Sequence, residues 1–134
     1  RLARKQKATA NFVPLPVIAR REKARFGIVT IGGCDPAVKE AIDLLAAEGL
    51  NADYLRIRGF PFHESVEQFL NEHEFSFIVE QNRDAQLRAL LLLETSVSKE
   101  RLRSVLIYGG FPLSARHVVD SIMDQLENNR AFDH

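Results

Sequence analysis

The chain has 134 residues, enough for one domain with a hydrophobic core, and its 46% hydrophobic and 27% charged residues are typical of a soluble globular protein. Its formal net charge is zero, so no overall field favours nucleic acid or an anionic membrane as a partner. No apolar run is long enough to span a bilayer, and no signal-peptide core follows the basic N-terminus.

The N-terminal segment is basic. Residues 1–25 hold eight of the 18 lysines and arginines but a single acid, Glu22. We interpret the segment as an interdomain connector, either lying across another surface or forming a solvated linker, with a short edge strand near residues 17–19. Pro14 and Pro16 favour an extended backbone there. The absence of an initiator Met indicates a fragment or a processed chain.

The remainder alternates strand and helix patterns. Apolar, β-rich runs over residues 26–31, 52–58, 75–81 and 103–108 predict four strands, and a helical pattern follows each run. Gly49 is placed to end the first helix, and Ser114 to cap the last. The third helix, predicted over residues 86–97, is apolar all round near its middle, which indicates burial between layers or against a partner.

Such alternation predicts a three-layer α/β/α domain with a mostly parallel sheet. We expect the compact domain over residues 26–127 and a frayed C-terminal tail over residues 128–134. In a parallel sheet all four strand exits lie at one edge, where ligands and partners usually bind. These exits are residues 32–35, 59–63, 80–86 and 109–114.

The first exit offers a candidate anion site. Gly32, Gly33 and Asp35 precede a helix whose N-terminus could hold an anion, although the turn has neither a GxGxxG fingerprint nor a Walker lysine. The structural interpretation is a tight βα turn, with Asp35 as the helix N-cap and Pro36 in the first helical position. We favour it, because Asp35 puts negative charge where an anion would sit.

The third exit carries the densest polar cluster. It could bind a small polar ligand or line a subunit contact. Alternatively Asn82 or Asp84 caps the following helix while Glu80 and Arg83 satisfy the loop backbone, an interpretation we prefer because buried corners need satisfied polar groups. The cluster consists of Glu80, Asn82, Arg83, Asp84 and Gln86.

Cysteine and histidine chemistry is sparse. Cys34, the single cysteine, cannot form an intramolecular disulfide, an iron–sulfur cluster or a structural zinc site, which fits a reducing cytosol. A nucleophilic Cys34 would need a base that the sequence does not show. The four histidines, His63, His73, His117 and His134, are scattered, so we predict no metal site. His73 lies on an apolar helical stripe and is predicted to pack against the core.

Four segments, in order, resemble one known family: residues 26–33 (FGIVTIGG), 54–62 (YLRIRGFPF), 79–87 (VEQNRDAQL) and 108–112 (YGGFP). Together they look like the C-terminal domain of the alpha subunit of 2-oxoacid:ferredoxin (acceptor) oxidoreductases, which include 2-oxoglutarate synthases and pyruvate:ferredoxin oxidoreductase. That domain has the transketolase C-terminal-like fold. The resemblance implies five strands, with the edge strand near residues 17–19 antiparallel to the others.

The resemblance also implies a parent enzyme. Such enzymes use thiamine diphosphate, Mg²⁺, iron–sulfur clusters and CoA to decarboxylate a 2-oxoacid oxidatively to an acyl-CoA. This chain has neither a Gly-Asp-Gly diphosphate motif nor cluster cysteines, and Glu80 does not match the thiamine-activating glutamate, so no catalytic residue carries over. The implied partners are the preceding domains of the alpha subunit, a beta subunit and ferredoxin or a similar acceptor, in a cytoplasmic oligomer without nucleic acid or membrane contacts.

Two other functions stay open. The chain could be a free-standing small-ligand or nucleotide-binding module that uses the turn at residues 32–35. It could also be the equivalent domain of another thiamine enzyme, such as a 2-oxoacid dehydrogenase beta subunit or a transketolase.

Overall fold

The computed structural model of the chain describes residues 13–81, 84–107 and 114–132. Its five strands are β1 (Val17–Ala19), β2 (Phe26–Ile31), β3 (Ala52–Ile57), β4 (Ser76–Glu80) and β5 (Leu102–Leu106). They form one sheet in the order β1-β3-β2-β4-β5, in which β1 is antiparallel to β3 and the other neighbours are parallel. The predicted mostly parallel sheet with one antiparallel edge strand is confirmed.

Four helices connect or follow these strands: α1 (Asp35–Ala47), α2 (Glu64–Glu72), α3 (Gln86–Glu94) and α4 (Ala115–Phe132). Short 3-10 turns, Gly32–Cys34 and Lys99–Arg101, precede α1 and β5. Gly49 follows α1 with a positive φ of 84°, and the Ser114 hydroxyl accepts the His117 backbone N–H at 3.3 Å. Both predicted helix ends are therefore confirmed.

Two predicted helix ends are wrong. Helix α3 stops at Glu94 and not near Val97, because the Thr95 backbone turns extended and its hydroxyl donates to the Leu91 carbonyl at 2.6 Å. Helix α4 continues to Phe132, so the tail predicted from Asn128 is helical over residues 128–132. The last turns of α4 are polar, so the apolar pattern that predicted this helix ends before the helix does.

The sheet separates two apolar cores. Alternate strand residues such as Ile28 and Val79 pack on one face with α1 and α4, while their neighbours Val29 and Ile78 pack on the other face with α2 and α3. This alternation follows from the two-residue period of a strand. The three-layer α/β/α arrangement predicted from the sequence is thereby confirmed.

Strand β2 approaches α2 closely at Gly27. A Cβ atom at this position would lie 2.6 Å from Phe69 Cε1 and 2.7 Å from Ser76 Oγ. Both distances are shorter than van der Waals contact. The missing side chain at Gly27 therefore allows Phe69, which is fully buried, to lie against the strand backbone.

The segment before β2 packs on the domain. Val13 is buried, Pro14 packs on Gly59, and the Arg21 backbone N–H donates to Asp53 Oδ1 at 2.8 Å. Since β1 runs antiparallel to β3, the chain arrives at the carboxyl edge of the sheet and leaves for β2 at the amino edge. We predicted that the compact domain starts at residue 26 and that the preceding residues form a connector. In the structure, part of this connector packs onto the sheet.

Candidate functional site

The carboxyl ends of β2 and β4 bring two predicted candidate sites together. These strands are neighbours, so the turn at Gly32–Cys34 lies beside the corner that follows Glu80. The backbone N–H of Gln81 hydrogen-bonds to the Cys34 sulfur. Residues almost fifty positions apart in sequence therefore share one edge of the sheet, as the parallel topology predicted.

Glu80 caps α3 from the end of the preceding strand. Its carboxylate is 3% exposed and accepts the backbone N–H of Leu87 at 2.7 Å and of Arg88 at 3.1 Å. Helix α3 starts after Ala85, which has a left-handed backbone with φ of 51° and no side-chain oxygen to act as a cap. A carboxylate at a helix N-terminus satisfies unpaired amides and opposes the positive end of the dipole.

The structure describes only part of the predicted polar cluster. Asp84 and Gln86 are exposed, and Asn82 and Arg83 lie outside the described residues. The expectation that Asn82 or Asp84 caps α3 stays a prediction; among the described contacts, the carboxylate of Glu80 meets the second and third amides of the helix. Sequence alone did not show this, because a cap seven residues before the amide it binds has no local signature.

Asp35 is a buried carboxylate bound from three sides. It accepts the Tyr54 hydroxyl at 2.5 Å, and its other oxygen lies 3.4 Å from Lys39 Nζ and 3.8 Å from an Arg56 guanidinium nitrogen. Tyr54 is in turn 2.8 Å from the Thr30 hydroxyl. The predicted N-cap role is wrong, because Asp35 is already helical, Cys34 holds the cap position, and the side chain turns inward.

These contacts set the charge states. Burial alone would raise the pKa of Asp35, but hydrogen bonds from Tyr54 and Lys39 and the charges of Lys39 and Arg56 outweigh it, so the pKa is lowered. Burial, and then the hydrogen bond to Asp35, raise the pKa of the Tyr54 hydroxyl far above its ordinary value. Asp35 is therefore an ionised carboxylate and Tyr54 a neutral donor.

The glycine turn has open space beside its backbone. Gly32 has a positive φ of 75°, and a Cβ on Gly32 or Gly33 would meet no atom within 4 Å. The nearby Cys34 thiol is buried, and burial, with a smaller contribution from the Glu80 charge, raises its pKa. A thiol held protonated is a poor nucleophile, so burial leaves Cys34 unactivated.

A second polar network lies at the opposite edge and was not predicted. Asp53 Oδ2 is 2.8 Å from His73 Nε2 and 3.5 Å from an Arg20 guanidinium nitrogen, and His73 Nδ1 donates to the Phe69 carbonyl at 2.7 Å. Arg20 also reaches Glu72 at 2.7 Å. His73 is buried, as predicted, and the network ties the segment after β1 to β3 and α2.

Searches of the described part of the chain add two negative findings. No cluster of three or more His, Cys, Asp or Glu side chains could hold a metal ion there. Within the same residues, no helix has the length and apolar character required to cross a membrane.

The fold defines the class of protein. A split-gene transketolase superposes with a TM-score of 0.61 over 82% of this chain and 40% of its own, at 17% identity. At that identity the likeness shows the fold alone, an α/β/α domain of the transketolase C-terminal-like class. No family model matches the chain.

More similar proteins identify the family. The alpha subunit of 2-oxoacid:ferredoxin oxidoreductase 2 from Aeropyrum pernix is 31% identical over 107 residues, 78% of this chain. The 2-oxoglutarate:ferredoxin oxidoreductase from Magnetococcus marinus, solved with 2-oxoglutarate, coenzyme A and succinyl-CoA bound, has a TM-score of 0.76 and 25% identity over 90% of this chain. The chain belongs to the family of 2-oxoacid:ferredoxin oxidoreductase alpha subunits.

The match covers only part of the larger relatives. The chain spans 16% of the Aeropyrum subunit and 21% of the Magnetococcus chain. By contrast it covers 97% of a solved alpha chain of a probable 2-oxoacid ferredoxin oxidoreductase from Thermoplasma acidophilum, at 25% identity and a TM-score of 0.57 over 84% of this chain. A polypeptide of about this extent has therefore been solved as a chain of its own.

Proposed function

We propose that this chain is a non-catalytic assembly domain of a cytoplasmic 2-oxoacid:ferredoxin (acceptor) oxidoreductase alpha subunit. In this proposal the parent enzyme decarboxylates a 2-oxoacid oxidatively, forms an acyl-CoA and transfers electrons to ferredoxin or a similar acceptor. The rest of the alpha subunit and a beta subunit hold the thiamine diphosphate, Mg²⁺, iron–sulfur cluster and CoA sites. The domain contributes packing surfaces in the assembled oligomer.

The observation that carries the proposal is that the conspicuous buried carboxylates of the carboxyl edge bond inward. Glu80 binds the amides of α3, and Asp35 binds Tyr54, Lys39 and Arg56. Groups that stabilise their own corners are not available to bind a diphosphate or to transfer protons. The match to 107 residues of a far longer oxidoreductase subunit supplies the parent.

The same contacts do not fit the family cofactors. A thiamine diphosphate site needs groups that bind Mg²⁺ and phosphate, but the described residues hold no metal-binding cluster and Asp35 puts a carboxylate beside the glycine turn. The free-standing nucleotide-binding module is disfavoured because the turn has neither a GxGxxG fingerprint nor a Walker lysine. We therefore assign no catalytic step to this chain.

Calorimetric titration of the 134-residue chain with thiamine diphosphate and Mg²⁺ tests the proposal. We expect no binding and no turnover of pyruvate or 2-oxoglutarate. The alpha subunit that contains the chain, purified with its beta subunit, is the positive control. Stoichiometric binding of thiamine diphosphate to the isolated chain would contradict the proposal.

A companion experiment tests the assembly role. The alpha subunit is produced with and without this domain, and its association with the beta subunit is measured by analytical ultracentrifugation. We expect the shortened subunit to lose assembly, and expect assembly to return when the 134-residue chain is added in trans. Full assembly and full activity of the shortened enzyme would show that the domain has another function.

A further inference from the structure

A buried histidine connects three parts of the chain that are distant in sequence. His73 follows α2 and is 6% exposed. Its Nε2 atom lies 2.8 Å from Asp53 Oδ2 on β3, and its Nδ1 atom lies 2.7 Å from the Phe69 carbonyl oxygen. Through its other oxygen, Asp53 accepts the backbone N–H of Arg21 at 2.8 Å. The His73 ring therefore joins the segment after β1, strand β3 and the end of α2.

Both ring nitrogens of His73 face oxygen atoms that accept hydrogen bonds. The Phe69 carbonyl has no proton to donate, so Nδ1 must carry the proton of that bond. Nε2 faces a carboxylate oxygen of Asp53, which accepts in the same way when it is ionised. A neutral imidazole has one N–H group, whereas an imidazolium has two. The two hydrogen bonds therefore exist together only when the ring holds both protons.

The proton between Nε2 and Oδ2 belongs to His73. Both oxygens of Asp53 already face donors, since Oδ1 accepts the Arg21 N–H and Oδ2 has an Arg20 guanidinium nitrogen 3.5 Å away. An imidazole is ordinarily a stronger base than a carboxylate. The Phe69 ring, whose centroid lies 4.4 Å from that of the imidazole, also favours a positive charge there.

The other charged groups around this pair come from three elements. From the segment after β1, Arg20 lies 3.5 Å from Asp53 Oδ2 but only 2.7 Å from Glu72 at the end of α2. From the 3-10 turn before β5, Arg101 donates to the His73 carbonyl at 2.8 Å. Because Arg20 is half-exposed and closer to Glu72, the imidazolium is the nearest counter-charge of the buried Asp53.

Strand β1 depends on polar contacts for its attachment. All three of its residues are exposed, so the strand buries little apolar surface. What holds this part of the chain is the backbone pairing of β1 with β3 and the contacts of Arg20 and Arg21 with Asp53. A change in the bond between His73 and Asp53 therefore acts directly on the attachment of this segment.

We propose that His73 is a pH-sensitive latch for the segment after β1. With both ring nitrogens protonated, the imidazolium holds Asp53 where it accepts the Arg21 N–H. When the pH rises and the ring loses one proton, either neutral tautomer turns a lone pair toward an oxygen 2.7 or 2.8 Å away. Asp53 also loses its nearest counter-charge. An unpaired buried carboxylate is costly, so Asp53 turns outward and releases the Arg21 amide.

Histidine-selective nitrogen NMR of the 134-residue chain tests the charge of the ring. The ring signals are followed from about pH 5 to about pH 9, the range around the ordinary titration of histidine. On the acidic side of the His73 titration we expect two ring N–H protons. Both should exchange slowly with water, because both are buried and hydrogen-bonded. A His73 ring with a single N–H at every pH at which the chain is folded would overturn the proposal.

Hydrogen exchange of the Arg21 amide tests the latch itself. Each rate is compared with the intrinsic rate at the same pH, which gives a protection factor that does not depend on base catalysis. We expect this factor to fall at least about tenfold as the His73 ring loses its proton, following the titration curve of the ring, because a hydrogen bond to a charged group is lost. A constant protection factor beside a titrating ring would show that His73 holds nothing in place, and would also overturn the proposal.

Two variants distinguish a latch from a merely structural contact. His73→Gln cannot titrate, and Asp53→Asn keeps an oxygen for the Arg21 N–H but has no charge to pair with an imidazolium. Either variant should abolish the pH dependence of Arg21 protection. His63→Gln is the matched control and should leave that dependence unchanged, because His63 accepts Ser65 N–H at 3.1 Å at the other end of α2.

The variants can also contradict the proposal. If the pH dependence persists in a folded His73→Gln or Asp53→Asn chain, or is lost in His63→Gln, another group is the one that titrates and the latch is wrong. Thermal unfolding verifies that each variant is folded. If one latch variant does not fold, the other variant and the wild-type titration still decide the outcome.

Discussion

Replacing Glu80 by glutamine isolates the contribution of the cap that joins β4 to α3. The variant keeps the shape of the side chain but replaces one carboxylate oxygen by an NH₂ group. In the native protein these oxygens accept Leu87 N–H at 2.7 Å and Arg88 N–H at 3.1 Å. In the variant one of the two amides faces another donor and is left without its acceptor.

The expected loss follows from this geometry. A hydrogen bond to a charged group contributes about 1.5–3 kcal/mol, and a carboxylate at a helix N-terminus contributes about 0.3–1 kcal/mol that partly overlaps with it. Because Glu80 is 3% exposed, solvent cannot replace the lost acceptor. We therefore expect Glu80→Gln to lower the free energy of unfolding by about 2–3 kcal/mol.

Urea and thermal unfolding of the isolated chain measure this change. At about 3–5 °C per kcal/mol for a domain of this size, the melting temperature should fall by about 6–15 °C. Glu40→Gln is the matched control, because Glu40 is exposed on α1, and its effect should stay within about 0.5 kcal/mol. A loss below about 0.5 kcal/mol for Glu80→Gln would refute the capping argument.

The same variant separates a structural corner from a working site in the complete enzyme. If Glu80 is structural, the variant should reduce the amount of assembled enzyme more than the activity per bound thiamine. Unchanged stability combined with a collapse of activity per cofactor would instead make the corner part of the catalytic machinery.

Three further outcomes are expected from the core and the first exit. The pKa of Asp35 is lowered in the folded state, so its carboxylate stabilises the folded protein above the unfolded pKa, and this contribution is lost as the pH falls through the folded pKa. Asp35→Asn should therefore lower the free energy of unfolding, measured with urea, by about 1–3 kcal/mol at pH 7 and by less at pH 2. The buried Cys34 thiol, with its raised pKa, should react with a disulfide reagent at pH 7.5 much more slowly than in the unfolded chain; equal rates in both states would contradict its burial. Gly27→Ala should lower stability by about 1–3 kcal/mol in the same unfolding assay, because its methyl group would press on Phe69, and no change would show that α2 can move aside.

Much of this protein follows from local sequence patterns. The alternation of apolar strands and amphipathic helices predicted the three layers, and Gly49 and Ser114 predicted the helix ends they form. These features depend on residues within a few positions of one another. Periodicity and turn chemistry therefore suffice to predict them.

The tertiary structure decided how the polar residues are used. Glu80 meets the amides of α3 across a loop, Asp35 turns from the predicted cap position toward Tyr54, and Asp53 joins His73 to the segment after β1. These partners lie 7 to 20 residues apart, and the first pair spans a loop with no capping signature. A carboxylate takes whichever donor the packed strands and helices bring within about 3 Å, and that choice is made only when the layers come together.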